Sequence, residues 1–165
     1  MKPIQKIPLN HVDLSDQTFS VNFMPDLQRL RSSIEEIGLI QPVLLKRKSN
    51  GYQIISGFRR ISVMKELEKL EVESRVFEEK ETDEFRLFSV CLHENLTTRG
   101  FNSVEKAIAL YKLIDRFQID PLVVIKNFLP SLSLEPNEKI LNTYLSLARM
   151  EDDMKQYVLR EEVSR

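Results

Sequence analysis

The chain is short of cysteine, of long apolar runs and of net charge, and each shortage removes a class of function. Its one cysteine, Cys91, cannot close an internal disulfide, which points to a reducing, cytoplasmic setting. No apolar run nears the ~18 residues that a membrane span needs, and no signal-peptide pattern opens the chain. Its 24 Lys and Arg nearly cancel 25 Asp and Glu, leaving −1. That balance argues against a basic field over the whole surface, the usual footprint of a domain built only to grip duplex DNA. Internal repeats and low-complexity segments are absent. The two histidines, His11 and His93, lie too far apart in sequence to seed a His/Asp/Glu nuclease cluster.

What is present is core material. Of 165 residues, 42% are apolar, enough for one domain or one domain with an appendage. The final stretch, "YVLREEVSR", reads as helix without a cap or breaker, so the chain is expected to be a piece of a longer protein.

The periodicities place the elements. "IQKIPLNHVDL" alternates and is broken by Pro8, as an edge strand and turn would be. A helix is expected from Pro25, with Leu27, Leu30, Ile34 and Ile37 on one face and Gly38 as its stop. "PVLLKRK", "SNG" and "YQIIS" predict a β-hairpin. Gly57 opens a helix running from about Phe58 to Leu70, and "EVESRVFEE" reads as a further strand. A helix over "TDEFRLFSVCLHENL" takes Thr82 or Asp83 as its cap, and Asn102 or Ser103 caps "VEKAIALYKLIDRF". From about residue 118 the composition changes to short helices separated by Pro121, Pro130 and Pro136. The expected organisation is a compact α/β (α+β) unit followed by an all-helical part, with domains 1–117 and 118–165.

Three stretches carry chemistry. "SGFRRISVMKEL" sets Ser56 and Gly57 at a helix N-terminus, where unpaired N–H groups and the helix dipole favour an anion. Glycine lets a phosphate approach the backbone, and Arg59 and Arg60 add forked donors. The plainer reading is two surface cations on a first helical turn, but cations are unfavourable there without an anion. "HENLTTRGFN" offers Glu94 and Asn95 as hard oxygen ligands for Mg²⁺ held mainly by phosphate and water; it reads equally as a helix end that Asn95 helps to terminate. "GLIQPV" holds Gln41 extended before Pro42 and exposes backbone that could meet a base edge, or it is an ordinary helix-to-strand turn.

Together, in order and spacing, these stretches resemble the N-terminal domain of the ParB family of partition proteins, within the ParB/sulfiredoxin fold. The family pattern SI…GxxQPxxV, hairpin, GERRxRA, ENLQRxDLNPxEEA stands here as "SIEEIGLIQPVLL", "GYQIISGFRRISVM" and "HENLTTRGFNSVEKA", across residues ~4–115. The resemblance implies a small mixed sheet with helices and a nucleotide site for CTP or another NTP with Mg²⁺. Ser56, Gly57, Phe58, Arg59 and Arg60 would surround the phosphates. Gly38, Leu39, Ile40, Gln41 and Pro42 would face the base, and His93, Glu94 and Asn95 would complete the site. Glu94 and Asn95 would bind or position the metal, and Gln41 matches a glutamine implicated in hydrolysis. The family function is chromosome or plasmid partition, with nucleotide closing a homodimer clamp on DNA.

The departures bear on chemistry. Phe58 stands for the GERR glutamate and cannot orient a water or accept a proton, so nucleotide binding is expected without efficient hydrolysis. Thr97 and Thr98 replace Gln-Arg, and Arg99 follows one place later. The sulfiredoxin branch is excluded, because the place of its catalytic GCHR-like box is held by Gly57-Phe58-Arg59-Arg60. The competing enzymatic reading is a free-serine-type kinase or slow NTPase with Glu94 as base. The tail from 118 holds six Lys/Arg against eight Asp/Glu. Lys126, Lys139 and Asn142 are its candidate DNA contacts if it is helix-turn-helix-like; a packing or dimerising bundle is the alternative.

Overall fold

The computed structural model describes residues 2–80 and 83–164. They form two compact units, Met1–Glu94 and Asn95–Arg165. The division falls inside a helix, well before the composition change near residue 118.

In the first unit, strands β1 (Ile4–Pro8), β2 (Val12–Asp13), β3 (Val43–Lys48), β4 (Gly51–Ser56) and β5 (Glu71–Phe77) form one mixed sheet in the order β1-β5-β3-β4-β2. β1 runs antiparallel to β5, with Ile7 opposite Val72, and β5 runs parallel to β3, with Leu45 opposite Val76. Alternation explains the choice of face: Val72, Ser74 and Val76 of β5 are buried between exposed Glu71 and Glu73, the period-2 pattern of a half-covered strand. The β3–β4 hairpin forms as expected. At its turn Gly51 has φ +118°, and a Cβ there would meet the His11 carbonyl oxygen at 2.5 Å, so only glycine fits. The two-residue strand β2, parallel to β4, leaves too little pattern to be read from sequence.

Helices α1 (Gln28–Ile37) and α2 (Phe58–Glu66) pack on one another. α1 starts three residues later than Pro25 suggests, because Asp26 Oδ1 accepts the Gln28 N–H at 3.0 Å and turns the chain first. It ends at Gly38 (φ +76°), whose N–H reaches the Ile34 carbonyl. α2 stops at Glu66 rather than near Leu70, which is 85% exposed; Glu68 there takes φ +53°, breaking the helix. α3 (Glu84–Thr98) begins behind Asp83, whose carboxylate caps the Arg86 N–H at 2.9 Å; Thr82 lies outside the described residues. Cys91 is buried on α3, its thiol donating to the Phe19 carbonyl.

The second unit is helical. α4 (Ser103–Tyr111) opens on a capping box: Asn102 Oδ1 accepts the Glu105 N–H at 2.8 Å while Glu105 reaches back to the Asn102 N–H. It runs on through a π-helical turn, Lys112–Arg116. α5 (Pro121–Val123), a second π-helical turn (Val124–Phe128) and α6 (Leu129–Ser131) form one continuous helical stretch. Pro130 therefore does not separate two helices. A proline has no N–H and crowds the preceding turn, and the wider π turn lies directly before it. α7 (Glu138–Arg149) packs against α4, with Leu141 and Leu147 buried, and α8 (Asp152–Val163) follows.

Candidate functional site

Gly57 is where sequence and geometry agree most closely. It caps α2 with φ +106°, and a Cβ would lie 2.6 Å from Val43 Cγ1. Both the dihedral and the packing demand glycine, and no side chain caps the helix. The first-turn N–H groups of α2 are thus left to water or an anion.

Three turns of chain converge on Arg60. Its Nη1 donates to the carbonyls of Gln41 at 3.0 Å and Pro42 at 3.2 Å, and its Nη2 pairs with Glu94 Oε1 at 2.7 Å. The other carboxylate oxygen, Oε2, accepts from the fully buried Ser56 hydroxyl. The pair is mostly sheltered, with side-chain exposures of 15% and 23%, so it is held more firmly than a surface ion pair. Beside it opens a cleft of about 300 Å³, lined by Leu30, Ser33, Ile34, Gly38, Leu39, Ile40, Gln41 and Arg60. The hairpin end, α2, α3 and the turn after α1 therefore bring Gly38, Leu39, Ile40, Gln41, Pro42, Ser56, Gly57, Arg60 and Glu94 to one place.

Other expected site residues stand elsewhere or do different work. Arg59 turns to the strap before α1, its Nε donating to Asn22 Oδ1 at 2.9 Å. Phe58 is buried, 7% exposed, and belongs to the core. His93 is exposed on α3. Asn95 belongs to the second unit, where its carboxamide oxygen accepts Arg99 Nε at 3.0 Å. Arg99 in turn pairs at 2.7 Å with Glu105, which is 1% exposed. Among the described residues no group of three or more His, Cys, Asp or Glu gathers in the manner of a metal cluster. Glu94 is a single carboxylate, and both its oxygens are engaged, by Arg60 and by Ser56.

On α7, Lys139 and Asn142 line a shallow polar cleft of about 490 Å³ with Glu138, Thr143 and Ser146. Lys126 lies on the second π-helical turn, outside that lining. The sequence reading missed Leu30, Ser33 and Ile34 as cleft walls and Asn22 as the partner of Arg59. Helical spacing put Leu30 and Ile34 on one face, but it assigned that face to the core.

Comparison with known proteins agrees with this fold. The family model of the ParB N-terminal domain matches residues 1–96. A nucleoid occlusion protein of Lysinibacillus sphaericus is 30% identical over 141 residues, 84% of this chain and 44% of that protein. The chromosome-partitioning protein ParB of Myxococcus xanthus is 29% identical over 117 residues, 70% of this chain and 38% of that one. The chain thus spans less than half the length of these curated relatives. C-terminally truncated ParB of Caulobacter crescentus, complexed with CTP-gamma-S, shares the fold with TM-score 0.50 and 21% identity, over 98% of this chain and 87% of that one. Its complex with the centromeric parS site gives TM-score 0.54 and 20% identity, over 96% and 79%. Among the described residues no helix is long and apolar enough to cross a membrane. With its match over more than half its length, the chain belongs to the ParB N-terminal domain family.

Proposed function

We propose that the chain is the nucleotide-switched part of a cytoplasmic ParB-type partition or nucleoid-occlusion regulator, binding CTP with Mg²⁺ and closing a homodimer on DNA. The observation that carries the reading is the position of Arg60. A forked cation sits on the first turn of an uncapped helix, behind an obligatory glycine, between an apolar cleft and a carboxylate. In that arrangement the cleft takes the base, and the N–H groups of α2 with Arg60 take the phosphates. Glu94 would hold Mg²⁺, which would supply charge neutralisation to the phosphates. The Caulobacter complexes with CTP-gamma-S and with parS support carrying nucleotide and DNA to this chain. The DNA contact falls to the exposed polar face of α7, through Lys139 and Asn142 with Lys126 in support.

The pairing of Glu94 with Arg60 is itself informative. In the structure the carboxylate occupies the cation that a phosphate would seek. A ligand that pairs with Arg60 would have to leave Glu94 another cation, because a sheltered charge left unpaired is costly; a divalent cation would meet that condition. The test is calorimetric titration with CTP, ATP and GTP in Mg²⁺, repeated on the Arg59→Ala/Arg60→Ala double variant. Micromolar binding of one nucleotide, abolished in the variant, is the expected result. Absence of binding by all three would sink the reading and leave a nucleotide-free DNA or protein adaptor.

A further inference from the structure

We propose that Ser33 is the side chain that sets base preference, a contact that rests on the nucleotide reading above and deepens it. The argument starts from two adjacent serines on α1. Ser32 satisfies its hydroxyl on its own helix, donating to the Gln28 carbonyl at 3.2 Å. The Ser33 hydroxyl makes no hydrogen bond among the described residues, and Ser33 lines the cleft of about 300 Å³ beside Arg60. Leu30, three residues before it on the same helix face, lines the same cleft, as does the adjacent Ile34.

The rest of the lining narrows the assignment. The side chains of Leu30, Ile34, Leu39 and Ile40 are apolar and offer contact area without discrimination, so any other base contact from this turn is through backbone, which a side-chain substitution leaves in place. The Arg60 guanidinium is occupied by Glu94 and by the carbonyls of Gln41 and Pro42. The Gly38 N–H is committed to the Ile34 carbonyl. Gln41 is exposed at the rim, its carbonyl already engaged by Arg60. Ser33 thus supplies a hydroxyl, one donor and two acceptor lone pairs, in the apolar part of the cleft. Ser33 is half-buried, so a base seated over it excludes water, and a base that fails to make the hydrogen bond leaves the hydroxyl unsatisfied, which is how a small pocket rejects a wrong ligand.

The experiment measures dissociation constants of CTP, UTP, ATP and GTP, and of inorganic triphosphate as a base-free probe, on wild type, Ser33→Ala and Ser33→Thr, each in Mg²⁺. The expected result is that the preferred nucleotide loses about tenfold in affinity in Ser33→Ala, so that the ratio to the other bases collapses. Inorganic triphosphate binds Ser33→Ala as it binds wild type, and Ser33→Thr, which keeps the hydroxyl, restores part of the preference. A uniform loss across all five ligands would overturn the proposal, as would an unchanged ratio between bases. If wild type binds triphosphate and nucleotides but Ser33→Ala keeps its preference, the inference fails and the nucleotide site stands. If wild type binds none of them, both fall together.

Discussion

At the residue scale, the two arginines of "SGFRR" are neighbours in sequence and do not share a task. Arg60 meets the cleft, the Gln41–Pro42 carbonyls and Glu94, whereas Arg59 is bound to Asn22. Arg60→Ala alone should therefore carry most of the nucleotide-affinity loss of the double variant, more than tenfold, with Arg59→Ala well below it; single-variant titrations decide. Glu94→Gln separates metal from cation. Removing its charge should raise phosphate affinity without Mg²⁺, since Arg60 loses its competitor, and lower it with Mg²⁺. Titration with and without EDTA reads both signs. Gly57→Ala forces a side chain into φ +106° and onto Val43; the left-handed dihedral alone costs about 1–2 kcal/mol, so a denaturant midpoint below wild type is expected together with lost nucleotide binding.

At the element scale, the start of α4 is held by a chain of bonds from Asn95 through Arg99 to Glu105 and back to Asn102. Glu105 is 1% exposed, so Arg99→Ala takes the Arg99 cation from a buried carboxylate. A loss of about 3–5 kcal/mol in chemical denaturation is expected, and Arg99→Ala combined with Glu105→Gln should recover part of it. Before α1, Asp16 is part-buried. Desolvation raises its pKa, but bonds from Thr18 and Gln53 and the nearby Lys48 outweigh it and hold the carboxyl below its ordinary 3.8. A depressed carboxyl stabilises above the unfolded value and loses that contribution as pH falls through the folded one. The strap should thus contribute fully at neutral pH and weaken only below about pH 4, a step that Asp16→Asn removes from an acid-unfolding curve. The elements most legible in sequence were those fixed by local chemistry: the hairpin by "SNG", the α1 stop by Gly38, the α4 cap by Asn102. Those set by partners distant in sequence were not, because nothing near Ser56 announces Glu94, and nothing near Asn22 announces Arg59.

At the scale of the whole molecule, the charge balance of −1 predicts modest DNA affinity for one copy. On the proposed function, two copies joined by nucleotide would gain effective concentration without new contacts, so binding of duplex DNA should steepen with CTP and weaken with salt. Lys139→Ala with Asn142→Ala should lower it without touching nucleotide affinity, read by fluorescence anisotropy at two salt concentrations. Arg60 finally sets a rule for ligand length. The turn that lines the base cleft is tied by its carbonyls to the guanidinium that phosphate would draw away. Coupling between two sites is reciprocal, so cytidine and triphosphate cannot act as independent fragments here. Their combined binding energies will differ from that of intact CTP by more than the linkage alone explains, and a nucleotide trimmed to its monophosphate loses grip on the turn as well as on the cation. On the proposed function, the resting place of one arginine would then register how many phosphates the ligand carries.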